Sequence, residues 1–273
     1  LVFAPSSLIL TNYYLPLSEA LCVAVNLGVN MSFKSWLSYS EFASKTSARP
    51  QDPLDNDSRE FLASILDTCK TKVRKLSAGT IVWRAQAGSH NVASPDFHID
   101  ERVPYTFKRM KPDAEHSSDG RANTKGIPCL YVAADAETAI HEIRPWPSLV
   151  VSLGKFKLVR ELKFIDFSES SDSKQFPYFF FNEPSADEII KAVWAAMDFA
   201  FSWPVAKSDS KSEYVPTQII SELIKSKGYD GIIYKSSIAK GRNYVLFNLN
   251  DAEVIQCDLF EVTKVKFDFE KLY

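Results

Sequence analysis

The chain has 273 residues, 45% of them hydrophobic, enough for a substantial core in one large domain or in one domain with a short appendage. A formal net charge of -2 gives no global attraction to nucleic acid or anionic lipid. The four cysteines, Cys22, Cys69, Cys129 and Cys257, lie far apart without a CxxC pair, which argues against a structural zinc site and a dense disulfide framework. A reducing cytoplasm, no metal, no direct nucleic-acid binding and no membrane are the resulting expectations.

Residues 1 to 30 carry no lysine or arginine, so the basic start of a signal peptide is missing. The apolar run Ala20 to Val29 is interrupted by Asn26 and Gly28 and falls short of the ~20 residues that span a bilayer. Met31 opens a stretch that reads as a natural start, so residues 1 to 30 are expected to be an extension the fold does not need. Residues 31 to 273 then form a single domain with a helical N-terminal region over 31 to 78.

From Asp57 to Lys75 the apolar residues Phe61, Leu62, Ile65, Leu66, Cys69 and Val73 recur at helical spacing, with Asp57 or Ser58 as cap. Gly79 stops this helix, and Thr80 to Ala85 reads as a strand that ends near Arg84. Residues 88 to 126 are polar and punctuated by Pro95, Pro104 and Pro112, which predicts a long surface loop. A buried strand follows at Cys129 to Ala134, then a helix from Ala136 capped by Asp135 and terminated by Pro145. Strands are expected at Leu149 to Leu153, Phe156 to Val159 and Leu162 to Asp166, with a polar turn at Ser168 to Lys174. A helix covers Ser185 to Phe201, and another runs from Pro216 to Lys225 with Gly228 as its C-cap. The chain closes with strands at Gly231 to Tyr234, Asn243 to Phe247, Ala252 to Cys257 and Phe260 to Phe269. Several strands with interspersed helices and no internal repeat indicate an α+β domain.

Common catalytic signatures are missing. His141-Glu142 resembles the start of a zinc-protease helix, but the second histidine would fall on Pro145. There is no GxSxG elbow, Walker loop or GxGxxG fingerprint, and His90, His98, His116 and His141 are scattered. Charged and polar residues gather instead around Gly120-Arg121-Ala122-Asn123, Leu130-Tyr131-Val132-Ala133 and the helix from Glu137 through Glu142 to Arg144-Pro145.

These segments resemble the RES-domain family, named for its arginine, glutamate and serine. The resemblance covers most of residues 31 to 273 and rests on the GRxN turn at Gly120 to Asn123, the LYxA strand at Leu130 to Ala133 and the ETAxxExRP helix at Glu137 to Pro145. The GYDGIxYxSS run at Gly228 to Ser237 and the RNY triplet at Arg242 to Tyr244 complete it. It implies an ADP-ribosyltransferase-like mixed β core with surrounding helices and cleavage of NAD at the nicotinamide-ribose bond. NAD is then a substrate rather than a cofactor, and the acceptor is water or inorganic phosphate. It also implies the toxin role of a toxin-antitoxin pair, with a helix-turn-helix antitoxin as partner. This chain departs from the compact toxins in its helical N-terminal region and its extended loop before Gly120.

The residue types suit that chemistry. Breaking the bond to a cationic nicotinamide passes through an oxocarbenium-like state, which a fixed carboxylate stabilises. Glu142 is the candidate, against the alternative of a surface glutamate paired with Arg144 or a nearby lysine. Arg121 can bind a diphosphate bidentately, with Gly120 and Gly126 allowing close backbone approach, or it can be a solvated loop arginine. Arg84 is either a second phosphate contact or a structural ion pair. The Tyr131 hydroxyl contacts substrate or is a satisfied core group. Ser236, or Ser237 in its place, hydrogen-bonds ribose or positions a nucleophile, and no neighbouring base in the sequence supports a covalent role. Tyr214, Gln218 and Asn243 are further candidates whose alternative is capping or packing. Two other functions compete: an ADP-ribosyltransferase acting on a macromolecule, which would label target bands with tagged NAD, and a non-catalytic nucleotide-binding module.

Overall fold

The computed structural model describes residues 32–49, 52–93, 100–168, 182–203, 211–266, 269 and 271. The expectations for residues 1 to 30, for most of the turn after Ser168 and for His98 lie outside these. Helix α1 (Ser38–Ala48) and helix α2 (Asn56–Thr68) come first, then a 3-10 turn (Cys69–Lys72). Asp55, two residues before the expected cap, closes the start of α2 by accepting from Ser58 N at 2.8 Å. The helical periodicity through Val73 does not continue as helix. Val73–Leu76 is strand β1, because its backbone is taken up by an antiparallel ladder with β7 (Leu162–Asp166), and Val73 is left exposed.

Strand β2 (Ile81–Ala87) is followed by the hairpin β3 (His90–Ala93) and β4 (Asp100–Val103), then a one-turn helix α3 (Phe107–Met110). Residues 88 to 126 are therefore not all loop. The hairpin is exposed and polar, so its strands lack the apolar alternation that reveals half-buried ones. Next come β5 (Leu130–Ala133), α4 (Ala136–Glu142) and β6 (Val150–Leu158), one strand where two were expected. Helix α5 (Ala186–Ser202) opens on a capping box in which Ser185 accepts from Glu188 N and Glu188 accepts from Ser185 N. Helix α6 (Val215–Ser226), β8 (Gly231–Lys235), β9 (Arg242–Leu246) and β10 (Ala252–Glu261) complete the order. The last is continuous across the break expected after Cys257, and among the described residues no strand extends towards Phe269.

An eight-stranded sheet runs β1-β7-β8-β9-β5-β2-β6-β10, so the fold is α+β with a mixed sheet. Among the described strands only β7 and β8 pair in parallel, and the α5 and α6 segment supplies the crossover that such a pair needs. Trp194, Phe167, Phe201 and Ile220 pack α5 and α6 on one face of the sheet, and Met110, Phe156 and Leu162 fill the other. The β2 and β5 ladder is short, with Trp83 opposite Ala133 as its paired position. Through the neighbouring ladders, Trp83, Ala133, Asn243 and Tyr234 stand side by side on one face. Helix α4 packs beside this row, with Ala139 and Ile140 in one cluster with Ala133 and Trp83.

Candidate active site

Each charged group reaches the site through a local rule of chain geometry. Asp135 caps α4 by accepting from Thr138 N at 2.7 Å, and the helix ends on Glu142. Glu142 Oε1 accepts from Asn243 Nδ2 at 2.6 Å and from Ser236 Oγ at 2.7 Å. Among the described residues Glu142 makes no ion pair, so pairing with Arg144 or a lysine is not realised. Two neutral donors on one oxygen orient the carboxylate and leave its charge in place. The Ser236 hydroxyl also accepts from Ala239 N at 3.0 Å, which fixes the loop after β8.

The GRxN turn is held from several sides. Gly120 N donates to Asn123 O at 2.9 Å, and Gln218 Nε2 donates to the carbonyls of Gly120 and Asn123 at 2.8 and 2.9 Å. The Tyr131 hydroxyl accepts from Ala122 N at 3.0 Å and donates to Asn123 Oδ1 at 2.8 Å. Tyr131 and Gln218 thus hold the turn that carries Arg121, and neither lines the cavity. A Cβ on Gly120 would sit 2.6 Å from Asn123 Oδ1 and 2.7 Å from the Tyr131 hydroxyl, so what approaches this glycine closely is the turn's own side chains. Arg121 Nη1 donates to the Ala200 carbonyl in the last turn of α5, where unpaired carbonyls favour a cation, and its guanidinium lies 5.7 Å from the Tyr214 ring centroid. Burial depresses its pKa.

Arg121, Glu142, Arg144, Tyr214, Tyr234 and Ser237 line a cavity of about 190 Å³, with Phe201, Ser202 and Ile238 completing its wall. Arg84 is not brought to it. Trp83 faces the same side as Ala133, so the next residue, Arg84, points to the opposite face with Val82. There its Nη1 donates to Tyr131 O at 2.8 Å, its Nε is buried without a partner, and no carboxylate pairs with it among the described residues. Burial, then the nearby Arg109 charge, push its pKa down to about 10.

Arg144 and Tyr234 belong to the cavity but are not among the site residues inferred from the sequence. Arg144 stands in the ExRP segment, where it reads as a partner for Glu142, and Tyr234 lies in an apolar run that reads as core. The buried Tyr234 phenol has its pKa raised by burial first and by the Glu142 carboxylate second. Among the described residues no group of three or more His, Cys, Asp or Glu is placed to hold a metal, and no helix is long and apolar enough to cross a membrane.

The model of the RES domain family matches residues 81–269. A solved structure similar to this chain is the M. tuberculosis MbcT-MbcA toxin-antitoxin complex, at 12% identity and a TM-score of 0.35, covering 71% of this chain and 90% of that one. No curated protein matches. With the family model spanning well over half of its length and motif residues Arg121, Glu142 and Ser236 meeting at one site, the chain belongs to the RES-domain family.

Proposed function

We propose that this protein cleaves NAD at the bond between nicotinamide and ribose and passes ADP-ribose to inorganic phosphate or water. The observation that carries this reading is a carboxylate oriented by two neutral donors, Ser236 and Asn243, at a cavity whose wall also bears Arg121. As the bond breaks, its electron pair moves to the pyridinium nitrogen and positive charge develops on the ribose. Glu142 opposes that charge without reorganising. Arg121 suits the diphosphate, Tyr214 and Ser237 contact the bound end of the substrate, and Ser236 and Asn243 position Glu142. The cavity is smaller than the roughly 300–1,000 Å³ of whole small-molecule sites, so it would take one end of a dinucleotide. Arg84, on the other face of the sheet and bonded to the Tyr131 carbonyl, has no part in the bond-breaking step.

Purified protein incubated with NAD, with and without phosphate, should release nicotinamide together with ADP-ribose 1″-phosphate or ADP-ribose. Release no greater than that of Glu142→Ala would end the enzyme reading, and label from tagged NAD on macromolecules would favour a transferase. From the family resemblance we further propose toxicity neutralised by a helix-turn-helix antitoxin. Growth arrest on expression, relieved by co-expressing the neighbouring reading frame, is the expected result.

A further inference from the structure

We propose that Arg144 is the acceptor-binding residue: its guanidinium receives the inorganic phosphate that attacks the ribose, and so favours phosphorolysis over hydrolysis. This inference rests on the NAD-cleaving reading of the same cavity. Arg144 follows Glu142 by two residues, lines the cavity with it, and is exposed. Its φ of 50° lies in the left-handed region, immediately before Pro145, where a helix-like conformation is further disfavoured. A glycine would sit there without strain, yet the position bears a long cation, held by Arg144 N donating to His141 O at 2.8 Å. No carboxylate engages that cation among the described residues.

The two guanidiniums of the cavity differ in a way that divides their tasks. Arg121 is fixed to the Ala200 carbonyl, packed over Tyr214 and partly desolvated, which suits a permanent anchor for bound substrate. Arg144 is exposed at the end of α4, where a free anion arrives from solvent. A phosphate dianion beside Glu142 meets like-charge repulsion that water does not, so an anionic acceptor needs a cation next to the carboxylate. In the step, a phosphate oxygen bonds to the ribose anomeric carbon as the bond to nicotinamide breaks. The pair from that bond neutralises the pyridinium, the products are nicotinamide and ADP-ribose 1″-phosphate, and any proton carried by the phosphate stays on it.

Steady-state kinetics of the full chain with NAD and inorganic phosphate, products separated, test this in wild type, Arg144→Gln, Arg144→Lys and Arg144→Gly. Arg144→Gln should raise the KM for phosphate by about tenfold or more, keep the KM for NAD within about twofold, and shift product towards ADP-ribose. Arg144→Lys should retain part of the phosphate effect. Arg144→Gly keeps the backbone without strain, so the same loss should occur in a protein at least as heat-stable as wild type. An unchanged phosphate KM in Arg144→Gln, or an equal rise in the NAD KM, overturns the assignment. Wild type that releases nicotinamide but makes only ADP-ribose at every phosphate concentration overturns it and leaves NAD cleavage standing. Absence of nicotinamide release overturns both.

Discussion

Glu142 is exposed and, among the described residues, bonded through Oε1 alone, so Glu142→Gln should leave the fold intact while removing the charge that the proposed reaction sets against a cationic ribose. The expected loss in nicotinamide release is about 10²–10³-fold in kcat, the scale of removing one preorganised electrostatic group. Ser236→Ala and Asn243→Ala should each cost less, and their double variant less than the product of the two, because both act on the same oxygen. Tyr131→Phe separates a positioning role from a substrate contact. It leaves Ala122 N and Asn123 Oδ1 without their shared partner, so denaturant unfolding should show a loss of about 1–3 kcal/mol. A large fall in activity without any loss of stability would mean that the hydroxyl touches substrate instead. Residue chemistry alone leaves these two roles open, because a polar tip in an apolar strand is needed in either case; only the turn folded over β5 shows where the hydroxyl points.

Elements with strong internal signals were legible. The capping box and the buried run Ala192 to Asp198 mark α5, and the continuous apolar run Ile232-Ile233-Tyr234, buried on both faces of the sheet, marks β8. Signals that depend on distant partners were not. Val73 continues a helical period yet pairs with Ile165, and the β3-β4 hairpin has no apolar face to betray it. Of the groups that meet at the candidate site, Glu142, Arg121, Ser236, Ser237, Tyr214 and Asn243 could be named from the sequence, but not which side of β2 bears Arg84, since a single Trp83 to Ala133 pairing decides it. The joint between α4 and the β8-β9 loop is equally invisible in sequence and controls the Ser236 to Glu142 distance. At Gly241 an added Cβ would collide with Thr138 Oγ1 and Asp135 Oδ2, the groups that cap α4. Gly241→Ala should therefore push the loop away from the helix and lower nicotinamide release by about 10- to 100-fold, a misplacement effect. Circular dichroism should remain native. Unchanged activity would show that the loop relaxes without moving Ser236.

Among the described residues, the face of the sheet that bears the site also buries three phenols and the Cys69 and Cys129 thiols in one cluster. Burial pushes the Cys129 thiol up to about 11 from an ordinary 9.0, and it raises the phenols of Tyr39, Tyr131 and Tyr234 above their ordinary 10.0. Below pH 9 both folded and unfolded chains keep these protons, so this group of residues contributes no pH dependence. Between pH 9 and about 11 the Cys129 thiol ionises in the unfolded chain only. From pH 10 upward the three phenols do the same. The unfolded state then binds fewer protons than the folded one, and stability falls by about 1.4 kcal/mol per pH unit for each group in its window. Urea unfolding followed stepwise from neutrality should show flat stability, a first decline near pH 9 and a steeper one above pH 10. Cys129→Ala should shrink the first decline, to which the Cys69 and Cys257 thiols, also raised by burial, contribute, and keep the second. Of the 11 tyrosines, these three should ionise only as the chain unfolds, so a part of the phenolate absorbance should appear together with unfolding. If all of it appears while the protein is still folded, these three are reached by solvent and the packing of α5, α6 and the GRxN turn over the sheet is looser than the structure has it.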